Sequence, residues 1–230
     1  MAEIPAHEPA LIRIDQLLAT GEFDEAVETA EALVAEMRVA DTLRALGRAR
    51  FERSTATFDE EEHEMAFAIL RDAAAMATDD RTRAAILADL ATMLTGSVFF
   101  TAEKEEEAVR RYKEAYALDP TNLRVLIGMT VLRAHPEINA SRGQAIVWVE
   151  QAIAQGAPEW WHWSELGKLY EEDGDQQKAI AAYEEMLALF PFRTGHPLEF
   201  VMRQQRKHLQ ALRVGRLELI NLDFHPPPAR

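Results

Sequence analysis

The chain contains no cysteine in 230 residues. Disulfide frameworks, thiolate nucleophiles and thiolate-held metals are therefore excluded together. No stretch of about 18 consecutive apolar residues is present, as a membrane helix requires. The first residues, MAEIPAHEPALIR, lack the basic flank and apolar core of a secretory leader, so the expected location is cytoplasmic. Positive charge is scarce: 25 Lys and Arg stand against 39 Asp and Glu, for a net charge of -14. Such a field repels phosphate backbones, so nucleic acid is not an expected partner, whereas basic or neutral protein surfaces are.

Sequence signals of chemistry are also missing. There is no Gly-rich phosphate loop, nucleophile elbow or dinucleotide fingerprint. The carboxylates fall in runs, Asp59 to Glu64 and Glu103 to Glu107, which read as solvated faces or helix starts, and nothing sets one apart from water as a general acid. His63 and Glu64 open like a zinc-protease signature, but Phe67 occupies the place of the second histidine. His7, His135, His162, His196, His208 and His225 are scattered, which suits structural or surface roles. The expectation is a protein without catalytic residues, metal or cofactor.

What the chain does have is apolar residues, 48% against 28% charged, and these recur at helical spacing. From Trp163 to Pro191, Trp163, Leu166, Gly167 and Tyr170 fall on one helical stripe. Asp173, Gly174 and Asp175 break it, and a second stripe follows at Ala179, Tyr183, Met186 and Leu187 before Pro191 stops it. A small residue on each helix lets the two cross closely, with an aromatic of one lying on the other. The order Trp, Leu-Gly, Tyr, Gly, Ala, Tyr, Pro resembles a tetratricopeptide repeat, with Met186 where that family usually has alanine.

Weaker copies precede it. The small residue opening each second helix gives Ala26, Ala66, Ala108, Ala145 and Ala179, at spacings of 40, 42, 37 and 34. Tyr112, Ala115 and Pro120 support the third copy, and Gly21, Ala30 and Leu33 the first. The second rests on Leu46, Gly47, Leu70 and Ala73, and the fourth on Leu126, Val149 and Ala152. The resemblance implies an all-α, right-handed α-solenoid of about five helix-turn-helix repeats over 1–192, with a C-terminal capping helix. Within each copy, the interval from the small residue of the first helix to that of the second is 12 from Ile14, 19 from Gly47, 20 from Ala88, 15 from Thr130 and 12 from Gly167. Repeats two and three thus carry insertions near 51–64 and 95–106, expected in their turns and side by side. Either they lengthen a helix and leave a solvated loop, or they form a binding lip with Phe58, Val98, Phe99 and Phe100 as anchors.

In this family the first helices of the repeats line a groove that holds a partner segment. Carried onto this sequence, the resemblance points to Arg44, Arg48, Phe51, Asp89, Arg124, Ile127, Trp161, Lys168 and Glu171. Arg44 and Arg48, one helical turn apart, are the groove pair suited to an acidic group. The lysine and asparagine clamp by which some relatives hold chaperone C-termini is not recognisable. Trp160 and Trp161 either pack beneath the preceding helix or stack on a partner.

After residue 192 the charge reverses. Of the 25 basic and 39 acidic residues, 193–230 holds 7 and 3, leaving 18 and 36 before it. Residues 193–218 read as a basic capping helix with Arg203, Arg206, Lys207 and Arg213, equally able to support self-association. Residues 219–230 read as an extended Pro-rich tail. The expected function is a non-catalytic adaptor or assembly factor binding another protein or peptide segment, favourably a basic one. The alternative is a structural subunit of a larger enzyme complex, docked through the C-terminal helix and tail.

Overall fold

A computed structural model describes residues 7–156, 160–189 and 199–214. Among these residues there are eleven helices and no strand, in two compact units, 1–141 and 142–230. Pro191, the segments 193–198 and 215–218 of the expected capping helix, and the tail 219–230 lie outside the described residues.

The first unit holds α1 (Glu8–Thr20), α2 (Phe23–Glu36), α3 (Ala40–Thr57), α4 (Glu60–Met76), α5 (Asp80–Gly96), α6 (Ala102–Leu118) and α7 (Leu123–Val131). Three helix hairpins, α1/α2, α3/α4 and α5/α6, stack in chain order, and α7 packs on α5 and α6. Local chemistry sets their ends. Gly21, at φ 82, ends α1 in the left-handed conformation that glycine adopts without strain. Asp59 accepts from the Glu62 backbone N–H at 3.0 Å, Asp79 from Thr82 at 2.8 Å and Asn122 from Arg124 at 3.1 Å. Each such cap contributes about 1 kcal/mol by pairing a donor the helix leaves open.

The extra residues of repeats two and three lie mostly in longer helices, the first of the two alternatives. They extend the helices instead of swelling the turns: α3 has 18 residues and α4, α5 and α6 have 17 each, against 13 and 14 for α1 and α2. The turns keep only 58–59 and 97–101. Neither segment carries an interior proline, so the helices simply continue. Phe67, Leu70, Ile86, Leu87, Leu90 and Leu94 are fully buried among these long helices, each stabilising by about 2 kcal/mol through apolar burial.

The second unit holds α8 (Arg142–Ala154), α9 (Trp160–Asp173), α10 (Gln176–Leu189) and α11 (Glu199–Arg213). Here α9 and α10 form a hairpin, α8 packs on α9, and α11 packs on α10. The fourth repeat is the one divided between the units, with turns over 132–141 between α7 and α8.

The small residues have the packing reason the sequence suggests. A Cβ on Gly167 would lie 2.7 Å from the Tyr183 ring, and one on Gly47 would lie 2.7 Å from Leu70. In α7 the close approach is made by Gly128, against the Tyr112 ring, and not by Thr130, whose hydroxyl donates back to the Leu126 carbonyl at 2.9 Å.

Candidate functional site

The helices that open each repeat bring charged residues of the first unit into a row. Asp15 of α1 accepts from Arg48 of α3 at 2.9 Å. Asp89 of α5, fully buried, accepts from Arg44 Nε of α3 at 2.6 Å and from the Arg124 guanidinium of α7 at 2.6 Å, one arginine on each oxygen. Burial alone would weaken the Arg44 charge, but the Asp89 carboxylate outweighs it and holds the guanidinium more firmly protonated than usual. Arg44 and Arg48 are thus each committed to a carboxylate of the chain itself.

Two expectations for this face need correction. Phe51 is 7% exposed, its ring centroid 4.7 Å from that of His63 and 6.0 Å from that of Phe67, and Ile127 is 4% exposed. Both are core residues. Helices α3 and α7 are covered on more than one side by their neighbours, so the strip facing outward is narrower than a helical projection suggests. Arg124 and Val131 remain exposed on α7.

At the turns of repeats two and three, the residues expected as a lip come to the surface. Phe58 is 71% exposed, Val98 46% and Phe100 50%, while Phe99 turns half inward against His63 at 5.2 Å. Phe58 caps α3 at φ 57, a left-handed conformation that side chains other than those of glycine and asparagine rarely take. Beside it, an open hollow of about 730 Å³ is lined by Glu60, Glu61, Glu64, Met65 and Ala68 of α4.

Beneath the lip runs a buried hydrogen-bond line that the sequence does not announce. The Phe99 N–H donates to Ser97 Oγ at 3.1 Å, and Ser97 Oγ lies 2.8 Å from His63 Nε2. His63 Nδ1 lies 2.8 Å from Ser54 Oγ, which donates to the Phe51 carbonyl at 2.8 Å. With the Ser54 hydroxyl donating to that carbonyl, the line is completed by a His63 that donates from Nδ1 and accepts at Nε2. A neutral histidine fits, and burial, followed by the charge of Lys104, pushes its pKa down. The line joins the ends of α3 and α4 to the 97–101 turn, so the two lengthened repeats meet here. Ser54 and Ser97 stand 9 and 34 residues from His63, with no shared pattern to reveal them.

In the second unit the three expected groove residues stand apart from one another chemically. Lys168 is exposed, 3.3 Å from Glu165. Trp161 is partly buried against the ring of its neighbour His162. Glu171 accepts from the Tyr183 hydroxyl at 3.1 Å and lies 2.8 Å from His208 of α11, so the final helix reaches over this position. Burial, then the Glu171 charge, raises the Tyr183 phenol well above its ordinary range. Among the described residues no group of three or more His, Asp and Glu side chains is arranged to hold a metal ion, and no helix is long and apolar enough to cross a membrane.

No protein-family model matches the chain, and a search of curated proteins finds no match. Solved structures do match. A thermophilic TPR protein from Thermus thermophilus superposes with a TM-score of 0.60 at 18% identity, covering 91% of this chain and 100% of that one. The C-terminal part of a TPR repeat-containing protein from Cytophaga hutchinsonii gives 0.52 at 15% identity, over 91% and 73%. The chain has the tetratricopeptide-repeat fold. The same fold similarity extends to a chain of the APC/C hetero-tetramer Cut9-Hcn1, with a TM-score of 0.63 at 15% identity, over 90% of this chain and 38% of that one. As a tetratricopeptide-repeat fold the chain departs from regularity in its second and third repeats, whose helices are longer.

Proposed function

We propose that the chain is a non-catalytic protein-binding module, an adaptor or assembly factor, that holds a segment of a partner at the lip and groove of its first unit. The observation that carries this reading is the lip. Phe58, Val98 and Phe100 present large apolar surface at the ends of long, well-packed helices, where little ordering entropy remains to be lost on binding. The groove row supports it in a secondary way: Arg124 of the Asp89 cluster is 47% exposed, so its remaining N–H donors can meet a partner's carbonyl or carboxylate. The relative within Cut9-Hcn1 is itself part of a hetero-tetramer, which agrees with a role in assembly.

The reading of a subunit docked through its C-terminal helix has less support. Leu209 and Leu212 of α11 are buried within the second unit, Arg213 pairs with Glu184, and the Gln176 amide donates to the Leu212 carbonyl. Leu209 and Leu212 are thus spent at home, leaving Lys207 exposed for any self-association. Crosslinking of the full chain in its native lysate, repeated with Phe58→Ser and with Lys207→Glu, separates the readings. A crosslinked partner lost with Phe58→Ser and kept with Lys207→Glu supports the lip, and the reverse pattern overturns it.

A further inference from the structure

Four of the nine large exposed apolar side chains among the described residues of the first unit are Phe58, Val98 and Phe100, in the turns of repeats two and three, and Met65, in the hollow along α4. Carboxylates surround them. Glu60, Glu61 and Glu64 line the hollow, and Glu103 stands in the first turn of α6. Across 59–68 and 98–107 the only lysine or arginine is Lys104, and it is turned inward. Its ammonium pairs with Glu64 at 2.8 Å, donates to the Phe99 carbonyl at 2.8 Å and sits 5.5 Å from the Phe67 ring centroid, with its side chain 13% exposed. Among the described residues, no lysine or arginine pairs with Glu60 or Glu61 in this way. The lip and its hollow are therefore apolar at the centre and negative at the rim.

We infer that the lip receives a basic amphipathic helix of another protein, whose apolar side chains meet Phe58, Met65 and Phe100 while its lysines or arginines meet Glu60, Glu61 and Glu64. This rests on the reading of the lip as a partner-binding site. Glu61, Met65 and Ala68 fall at i, i+4 and i+7 on one exposed stripe of α4, a helical surface against which a second helix packs. The Phe58 conformation points the same way. A phenylalanine at φ 57 holds a conformation that its side chain disfavours, and it is 71% exposed. The negative rim disfavours an acidic helix or an anionic lipid surface, and gives the basic helix a faster encounter as well as its register.

The test uses the full chain and three synthetic 18-residue peptides with leucine at helical spacing and lysine, glutamine or glutamate at every other position. Binding is read by fluorescence anisotropy at low and high salt. The lysine peptide is expected to bind about tenfold or more tighter than the glutamine peptide at low salt, with the margin shrinking as salt rises. Phe58→Ser with Phe100→Ser should remove the binding, and Glu60→Lys with Glu61→Lys should transfer the preference to the glutamate peptide. Unchanged melting temperatures establish that these surface variants are folded. Equal binding of lysine and glutamate peptides, or binding indifferent to Phe58 and Phe100, overturns the inference. If binding survives the lip variants but falls with Arg124→Ala, the protein-binding reading stands and the lip assignment fails. If no peptide binds, the proposed partner chemistry is wrong. Sedimentation showing that the chain pairs with itself through Phe58 would make a second copy the occupant, and so also overturn it.

Discussion

Asp89 lies fully buried between Arg44 and Arg124, 2.6 Å from each, and so ties together the opening helices of three successive repeats. Removing one member of a buried ion pair leaves the others without compensation, which destabilises more than the pair itself stabilises. Asp89→Ala should therefore cost about 3 kcal/mol, with Arg124→Ala costing under about 1 kcal/mol because that side chain is half exposed. Urea unfolding of both variants checks this. Equal losses would show that the Asp89 carboxylate is not the hub.

Close packing of helix on helix makes a second prediction. Gly167→Ala would press a methyl group into the Tyr183 ring at 2.7 Å and should cost about 1 to 3 kcal/mol, as overpacking of a tight core does. Gly96→Ala, where the added carbon meets nothing, should be neutral or slightly stabilising. Thermal melts of the two variants distinguish contact from propensity, and similar melting points would refute the contact argument.

The pH dependence of stability should carry the mark of His63. Its folded pKa is depressed below the ordinary 6.5, chiefly by burial, while Glu64 and Glu60 pull the other way. The unfolded chain therefore binds more protons than the folded one below about pH 6.5, and stability falls as pH drops through that window. Glu107 behaves differently. Its hydrogen bond from Arg71 lowers its pKa below 4.5, so its contribution is lost only in more acid solution. Denaturant unfolding between pH 7 and pH 5 should show a slope that His63→Gln flattens; a slope unaffected by that variant would exclude His63 as its source.

On the proposed reading, Phe58 sets folding against binding. Replacing it with glycine relieves the left-handed strain and should leave stability unchanged or raise it by about 1 kcal/mol, while binding at the lip falls. Differential scanning calorimetry beside peptide anisotropy checks both halves. A marked loss of stability would mean that the ring packs at home.

Much of the fold is legible in the sequence because helical packing leaves a periodic trace. Trp163, Gly167, Tyr170, Ala179 and Tyr183 mark the fifth repeat, and α9 and α10 form there. Gly128 escapes notice because Thr130 occupies a similar stripe and only the Tyr112 ring tells them apart. Arg44, Asp89 and Arg124 project onto one face from the sequence, yet their mutual pairing depends on the pitch of successive repeats, which no local pattern encodes. Phe51 and Ile127 are misplaced by projection for the reason that central helices bury most of their circumference. The exposure of Phe58, Val98 and Phe100 is legible because they fall in the segments that break the repeat period.

The hydrogen-bond line through Ser97, His63 and Ser54 has a direction, each proton passing from the 97–101 turn toward α3. The line ties the 97–101 turn to the ends of α3 and α4. Phe58 follows α3 and Phe100 lies in the turn tied to it, so on the proposed reading a partner would meet two apolar side chains presented by segments that this line joins.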